Sequence, residues 1–251
     1  MLSETEAIIL RTIKYSETSV IAHVYTEKFG KGSYLMNGVR KNRSKMAMFQ
    51  PLSLVKITAY RKKDNSQIHK IGNIAFQLVP TSIPQNIYKS TIALFVSEIT
   101  NHIFKEEEYN PDFFLFLKTF ISLLEESTDN YSNLHILYMI HATHFLGVFP
   151  ENNYNSQNKF FSFEKAQFVP TFNINTLDEE NSILFLQLLN TQELTDVLPL
   201  NQQQRQNLLS ILLQYYNVHV CDMQNIKSPK AQMKQEKRTM AKRDAFITYN
   251  I

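Results

Sequence analysis

A single cysteine, Cys221, in 251 residues excludes an internal disulfide framework and any zinc site built from several thiolates. Its setting, "YYNVHVCDM", is apolar and predicts an inert, buried thiol. No apolar run approaches the ~18 residues that a membrane span needs. The first residues, "MLSETEAIILRTIKY", have no basic start, and the apolar run Ala7 to Leu10 is too short for a secretion signal. A cytoplasmic location is the expectation. Glycine is scarce, at five residues, and no G-x-G-x-x-G or P-loop occurs, so no cradle for nucleotide phosphates and no cofactor is expected. Signs of catalysis are missing too. The carboxylate runs Glu106–Glu108 and Asp178–Glu180 flank helical patterns, where they read as solvated ends or partners of a helix dipole. No Ser-His-Asp or Cys-His signature appears, so the chain reads as a protein that is not an enzyme.

What is present is an ordinary globular composition, 43% hydrophobic and 20% charged. The net charge of +3 hides a segregation. Residues 1–80 carry 13 Lys and Arg against 5 Asp and Glu, a net of +8. Residues 81–226 carry 6 against 16, a net of −10, and residues 227–251 carry 7 against 2, a net of +5. A basic first third beside an acidic middle implies two domains with different partners.

The basic third has β character. Short runs rich in β-branched and aromatic residues cover Ile8 to Ile13, Thr18 to Thr26, Gly32 to Val39, Leu52 to Tyr60 and Ile68 to Val79. Val20, Ala22 and Val24 share a face, as do Val55, Ile57 and Ala59. Turn chemistry separates the runs at "YSET", "KFGKG" and "KKDNS". Five strands in so short a stretch predict a small closed barrel or sandwich rather than an open sheet with uncovered edges. After "VPTSIP" the period becomes helical: Ile92, Phe95, Val96, Ile99 and Ile103, then Phe113, Phe116, Leu117, Phe120 and Leu124. Asn110-Pro111-Asp112 is a helix start. Phe114, Leu115 and Leu123 on the other sides of that helix predict burial from more than one direction. Three further helices follow, around Leu134–Phe145, "NSILFLQLLN" and "QRQNLLSILLQYYNVHV". Residues 150–172 lack a helical period and read as a long ordered connection with room for a hairpin. The last 25 residues read as a solvated basic tail.

The basic run "GVRKNRSKMAMFQP", residues 38–51, places Arg40, Lys41, Arg43 and Lys45 within six positions. Lys31 precedes it, and Arg61, Lys62 and Lys63 end the fourth strand; in a small barrel these groups can approach one rim. That is either a solvated loop or a surface for a polyanion, whose binding would weaken steeply with salt. Tyr15, Tyr25, Phe29, Tyr34, Phe49 and Tyr60 are interleaved, and those left exposed are available to stack on bases, at about 1–3 kcal/mol each. The histidines His135, His141, His144 and His102 do not fall into the Glu-x-x-His pairs of a bundle metal site and read as core or surface residues. His23 and His69 lie on strands with no carboxylate at a useful spacing.

The order of features over residues 7–45 resembles the RecO family of bacterial recombination mediators. The residues that carry it are Tyr15-Ser16-Glu17-Thr18-Ser19, Tyr25-Thr26 with Gly30, Gly38-Val39-Arg40-Lys41-Asn42-Arg43-Ser44, and Phe49-Gln50-Pro51; "HFLGVFP", His144 to Pro150, is similar in layout. The resemblance implies a multi-domain α+β protein: an N-terminal five-stranded OB-fold barrel over 1–80, an all-α helical domain over 81–226, and the tail 227–251. It implies binding of single- and double-stranded DNA through Lys31, Arg40, Lys41, Arg43, Lys45, Arg61, Lys62 and Lys63, and annealing of complementary strands. It further implies RecR as co-mediator, an apolar, locally basic groove for the acidic tail of single-stranded DNA-binding protein, loading of RecA, and a place at the bacterial nucleoid, without ATP. Two departures stand out. Many members carry a four-cysteine zinc site after the "LGVFP" region; residues 150–172 contain no cysteine, which predicts no zinc and leaves the packing to Phe160, Phe161, Phe163 and Phe168. After Lys227-Ser228 the chain turns basic where the family continues into a short apolar helix. Competing readings are an RNA-binding OB module, an adaptor acting through its helical domain, and a metal-dependent nuclease.

Overall fold

The period-2 runs fold as β1 (Leu2–Lys14), β2 (Val20–Thr26), β3 (Gly30–Met36), β4 (Leu54–Tyr60) and β5 (Ile68–Phe76) in a computed structural model. It describes residues 2–60, 68–223 and 226. Candidates Arg61, Lys62 and Lys63 and the basic tail lie outside the described residues. The strands close into a barrel in the order β1-β2-β3-β5-β4. Closure depends on the length of β1, which pairs through Ala7–Lys14 with β2 and through Leu2–Ile8 with β4. The remaining seam is a short parallel pairing, Ser33–Leu35 of β3 with Ile68–Lys70 of β5. Side chains alternate across each strand, so Val20, Ala22, Val24, Val55, Ile57 and Ala59 fill the interior. Between β3 and β4 sits a five-residue helix, α1 (Arg43–Ala47), where the sequence predicts a loop. A five-stranded closed barrel with this insertion is OB-like.

Beyond the barrel come α2 (Ser82–Gln85), α3 (Ile87–Ile103) and α4 (Pro111–Glu126). Asn86 caps α3, accepting from the Tyr88 and Lys89 amides, and Asn110 caps α4, accepting from the Phe113 amide at 2.9 Å. The predicted stripes are buried except at Phe116, which is half-buried: Ile92, Phe95, Val96, Ile99 and Ile103 on α3, and Phe113, Leu117, Phe120 and Leu124 on α4. Phe114 is buried as well, but Leu115 faces solvent, so burial wraps less of α4 than its composition predicts. At the start of α2 the Glu125 carboxylate accepts from the amides of Thr81, Ser82 and Ile83. These donors hold its pKa below the ordinary value against the opposing effect of burial, the largest single influence on it. Lys89, 2% exposed, donates from Nζ to Ser82 Oγ and to the Glu125 carbonyl, beneath the Tyr131 ring.

The chain divides into two compact units, Met1–Ser132 and Asn133–Ile251. The first contains the barrel with α2, α3 and α4. The second contains α5 (Leu134–Phe145), buried at every position from Leu134 to Thr143, with α6 (Glu179–Leu189) and α7 (Gln202–His219). Asp178 caps α6, and a reciprocal Asn201–Gln204 box caps α7. Residues 150–172 include a hairpin, β6 (Phe160–Ser162) with β7 (Gln167–Val169). Among the described residues no helix is long and apolar enough to cross a membrane.

Candidate nucleic-acid interface

The basic segment is an ordered plug at one end of the barrel. Gly38 adopts φ 72°, turning the chain into a single 3-10 turn at Val39–Lys41. Asn42 then caps α1 by accepting from the Lys45 amide at 3.0 Å. Val39 and Phe49 are buried in the barrel core, and Met46 and Met48 pack against it. These apolar pegs fix one side of the segment, and Arg40, Lys41, Arg43 and Lys45 are all exposed on the other. Arg40 also ties the segment to the β1–β2 turn: its Nη1 donates to the carbonyls of Ser16 (2.9 Å) and Glu17 (2.7 Å), and its amide to that of Thr18. Four cations thus stand in water on a backbone braced from beneath, in an arrangement suited to a row of phosphates. An apolar cleft of about 410 Å3 opens beside α1, lined by Ala47, Pro51, Leu54, Phe76, Val79 and Ile83 among others.

Lys31 does not join this group. It lies near the other end of β3, half-buried, and its Nζ donates to the carbonyls of Asn101 and Phe104 (2.8 Å for the latter) at the C-terminus of α3. Burial lowers its pKa, while Glu106 and Glu108 act in the opposite direction. The Glu106–Glu108 run, which reads as a solvated helix end, instead lies along β3: Glu107 N donates to the Lys31 carbonyl at 2.8 Å. Tyr25 packs edge-on against Phe104 and Phe113 and donates to the Glu108 carbonyl at 3.3 Å.

Here His23 meets a carboxylate after all, from a segment 83 residues away along the chain. Ser33 Oγ donates to Glu106 Oε1 at 2.8 Å and lies 3.1 Å from His23 Nδ1. The hydroxyl has one proton and gives it to Glu106, so a neutral His23 donates from Nδ1 to Ser33. That polarity is the reverse of what activates a nucleophile.

One end of β2 and β3, with Tyr25, Lys31, His23 and Ser33, thus meets the α3–α4 connection. Ile21 and Leu35, further along the same strands, are half-buried. The interleaved aromatics divide as well. Tyr25, Tyr34 and Phe49 are buried and Phe29 half-buried, which leaves Tyr15 and Tyr60 exposed.

Among its described residues the second unit has no comparable cluster of exposed cations. His141 lies 3.3 Å from the Thr191 hydroxyl, and His144 stacks on Phe149 with ring centroids 3.6 Å apart. Cys221 is half-buried, and burial raises its pKa. Phe161, Phe163 and Phe168 of the hairpin are buried, with Phe161 against Phe185 at 4.5 Å. Among the described residues no three His, Cys, Asp or Glu are grouped to hold a metal ion. This hairpin, filled with phenyl rings and lacking thiolates, does not fit the family's zinc.

Comparison with known proteins divides the chain at the end of the barrel, not between the two compact units. The family profile described as "Recombination protein O N terminal" matches residues 1–75, and "Recombination protein O C terminal" matches residues 84–228. The chain is 32% identical over 235 residues to a DNA repair protein RecO of Flavobacterium psychrophilum, covering 92% of this chain and 96% of the relative. It is 30% identical over 234 residues to one of Phocaeicola vulgatus, covering 91% and 96%. A relative of the same name from Bacteroides fragilis is 30% identical over 235 residues. The barrel with its basic plug, the helical remainder and these matches together place the chain in the RecO family of DNA repair and recombination proteins.

Proposed function

We propose that this chain is a recombination mediator that binds single- and double-stranded DNA and anneals complementary strands. With RecR, and with the acidic tail of single-stranded DNA-binding protein as a docking partner, it helps RecA onto coated single strands. In this reading residues 1–80 hold DNA and residues 81–226 serve protein partners, with the work carried out in the cytoplasm at the nucleoid. One observation carries it: Arg40, Lys41, Arg43 and Lys45 are exposed on a segment whose opposite side is anchored in the barrel core. Backbone contacts of this kind suit both single strands and duplexes, because phosphates are common to both. Arg61, Lys62 and Lys63 follow β4 directly in the sequence and are included in this proposal on that ground. Lys31 is left out because its ammonium is already held by helix carbonyls.

The test is the salt dependence of DNA binding. Replacing Lys41, Arg43 and Lys45 by Ala should lower the slope of log affinity against log salt by about 2 on single strands and nearly 3 on duplexes. The melting temperature should not change, since these side chains are exposed. An unchanged slope sinks the assignment of these residues. Competition between matched DNA and RNA strands separates the mediator from an RNA-binding OB protein.

A further inference from the structure

The joint between β3 and the basic plug is Asn37-Gly38, and of the five glycines in the chain Gly38 is the one that follows an asparagine. An asparagine side chain holds its carboxamide carbon within reach of the next residue's backbone nitrogen. What ordinarily hinders that approach is the next residue's Cβ, and glycine has none. The fold leaves this pair open to reaction. Both residues are exposed, and a Cβ placed on Gly38 would meet nothing within 4 Å, so the carboxamide has room to swing and water has room to follow. The Gly38 amide donates to no partner among the described residues, so no hydrogen bond must break before it reacts. The hydroxyl of Ser19, a residue 6% exposed, donates to Asn37 Oδ1 at 3.0 Å. That oxygen gathers negative charge when a nucleophile adds to Cγ, so the bond polarises the carbonyl in the direction of reaction. Ser19 is itself held, its amide donating to Ser16 Oγ at 3.2 Å. Past Val39 come Arg40 and Lys41, whose charges favour the amide anion that makes the attack.

We propose that Asn37 is a site of spontaneous deamidation, assisted by the Ser19 hydroxyl, and that the product weakens the hold of the plug on polyanions. The Gly38 nitrogen bonds to Asn37 Cγ, the Cγ–Nδ2 bond breaks, and ammonia leaves with the proton that Gly38 gives up. Water then opens the cyclic imide at one of its two carbonyls, to aspartate or to isoaspartate. Either product puts a carboxylate where a neutral amide stood, directly ahead of Arg40, Lys41, Arg43 and Lys45. Isoaspartate also carries the main chain through its side-chain carbon. That adds a methylene between Met36, paired with Val20, and Val39, the peg in the barrel core. The brace beneath the cations then no longer matches the barrel end it was seated on. The modification does not depend on the proposed function; its effect on DNA binding rests on it.

The sequence supplies a clean readout. Trypsin cuts after Lys31 and Arg40 and releases Gly32–Arg40, in which Asn37 is the only side-chain amide. Mass spectrometry of this peptide, after incubation of the full chain at neutral to mildly alkaline pH, follows the reaction directly. The mass should rise from amide to acid ahead of every other asparagine-containing peptide, and faster as pH rises. The product should resolve into two isomers, one of them a substrate for an isoaspartyl methyltransferase. Ser19→Ala should slow the conversion several-fold, and Ser19→Thr, which keeps the hydroxyl, should restore it. Asn37→Asp, a copy of the charge alone, should bind duplex DNA several-fold more weakly at low salt than Asn37→Gln does. A folded chain that keeps Asn37 intact while the free Gly32–Arg40 peptide converts overturns the proposal. So does a rate in Ser19→Ala equal to or above the parent's, or equal duplex affinity for Asn37→Asp and Asn37→Gln. Failure of the proposed function looks different: the unaltered protein would then bind no DNA, while the change in peptide mass would still appear.

Discussion

Strand β3 starts and ends beside lysines and arginines, and its two ends use them in opposite ways. At Gly30–Lys31 the ammonium is drawn inward, donating to two carbonyls at the end of α3 under a cover of Phe104, Glu106 and Glu108. Beyond Met36 the cations face outward because Val39 and Phe49 hold their backbone from below. The same residue type thus serves as a helix cap at one end and stands in water, as the proposed anion contact, at the other. What separates the two is the neighbouring structure. A helix C-terminus offers carbonyls that need donors, whereas an apolar core offers nothing to a charge and pushes it into water. A basic count alone therefore does not define a nucleic-acid site; it needs cations on a scaffold that cannot absorb them.

The covered end should break first and hardest. Gly30 has φ +64°, and a Cβ there would lie 2.1 Å from the Glu108 carbonyl oxygen, a backbone atom. Gly30→Ala should cost about 3 kcal/mol of stability, from the left-handed backbone and the displaced turn together, read as a lower denaturation midpoint. A variant as stable as the parent would mean that the α3–α4 connection is not seated on β3. Lys31→Met comes next. It removes both donors to the α3 carbonyls and should cost about 2 kcal/mol, with the salt slope of DNA binding unchanged. If the slope falls instead, Lys31 meets phosphate and the division between the two ends fails.

These two residues also mark where sequence reading stops. The barrel strands were legible because alternation such as Val20-Ala22-Val24 is local and strict, and α3 and α4 because their stripes and Asn caps lie within one turn of each other. Helix α1 was hidden: five residues dense in cations show no amphipathic period, and only Asn42, three before Lys45, marks its start. Lys31 and Arg40 looked alike because their partners are distant in sequence, 70 residues for the Asn101 carbonyl and 24 for that of Ser16. The last seam of the barrel depends on the parallel β3–β5 register. No local pattern encodes a pairing between strands that are not consecutive in sequence. Tyr60 itself was visible as one of six interleaved aromatics, but burial alone sorted it from Tyr25 and Tyr34.

At the open end the comparison sharpens between neighbours. Arg40 is both an exposed cation and the tie to the β1–β2 turn, whereas Lys41 shows no such tie among the described residues. Lys41→Ala should leave stability within about 0.5 kcal/mol and lower the salt slope by about 1. Arg40→Ala should lower the slope similarly and also cost about 1 kcal/mol of stability for the lost donations to carbonyls. Equal denaturation midpoints for the two variants would show that the tie contributes nothing.

The smallest effect belongs to His23, at the covered end. Burial, then the charges of Lys31 and Arg11, lower its pKa, and Glu106 opposes them. The unfolded chain, with its histidine near 6.5, therefore takes up the proton at a higher pH than the folded chain does. As pH falls through about 6.5 the unfolded state binds more protons and stability declines, levelling off below the folded value; above that window His23 contributes no pH dependence. His23→Asn keeps an N–H that can donate to Ser33 and has nothing to titrate, so its stability should fall less between neutral and mildly acidic pH. His141 and His144, whose pKa values burial also lowers, are present in both proteins, so the difference between the two curves isolates His23. Lys31→Met should shrink the same slope in part, by removing a cation that disfavours the imidazolium. Identical pH profiles for the parent and His23→Asn would mean that water reaches this end of β3 as freely as it reaches the other.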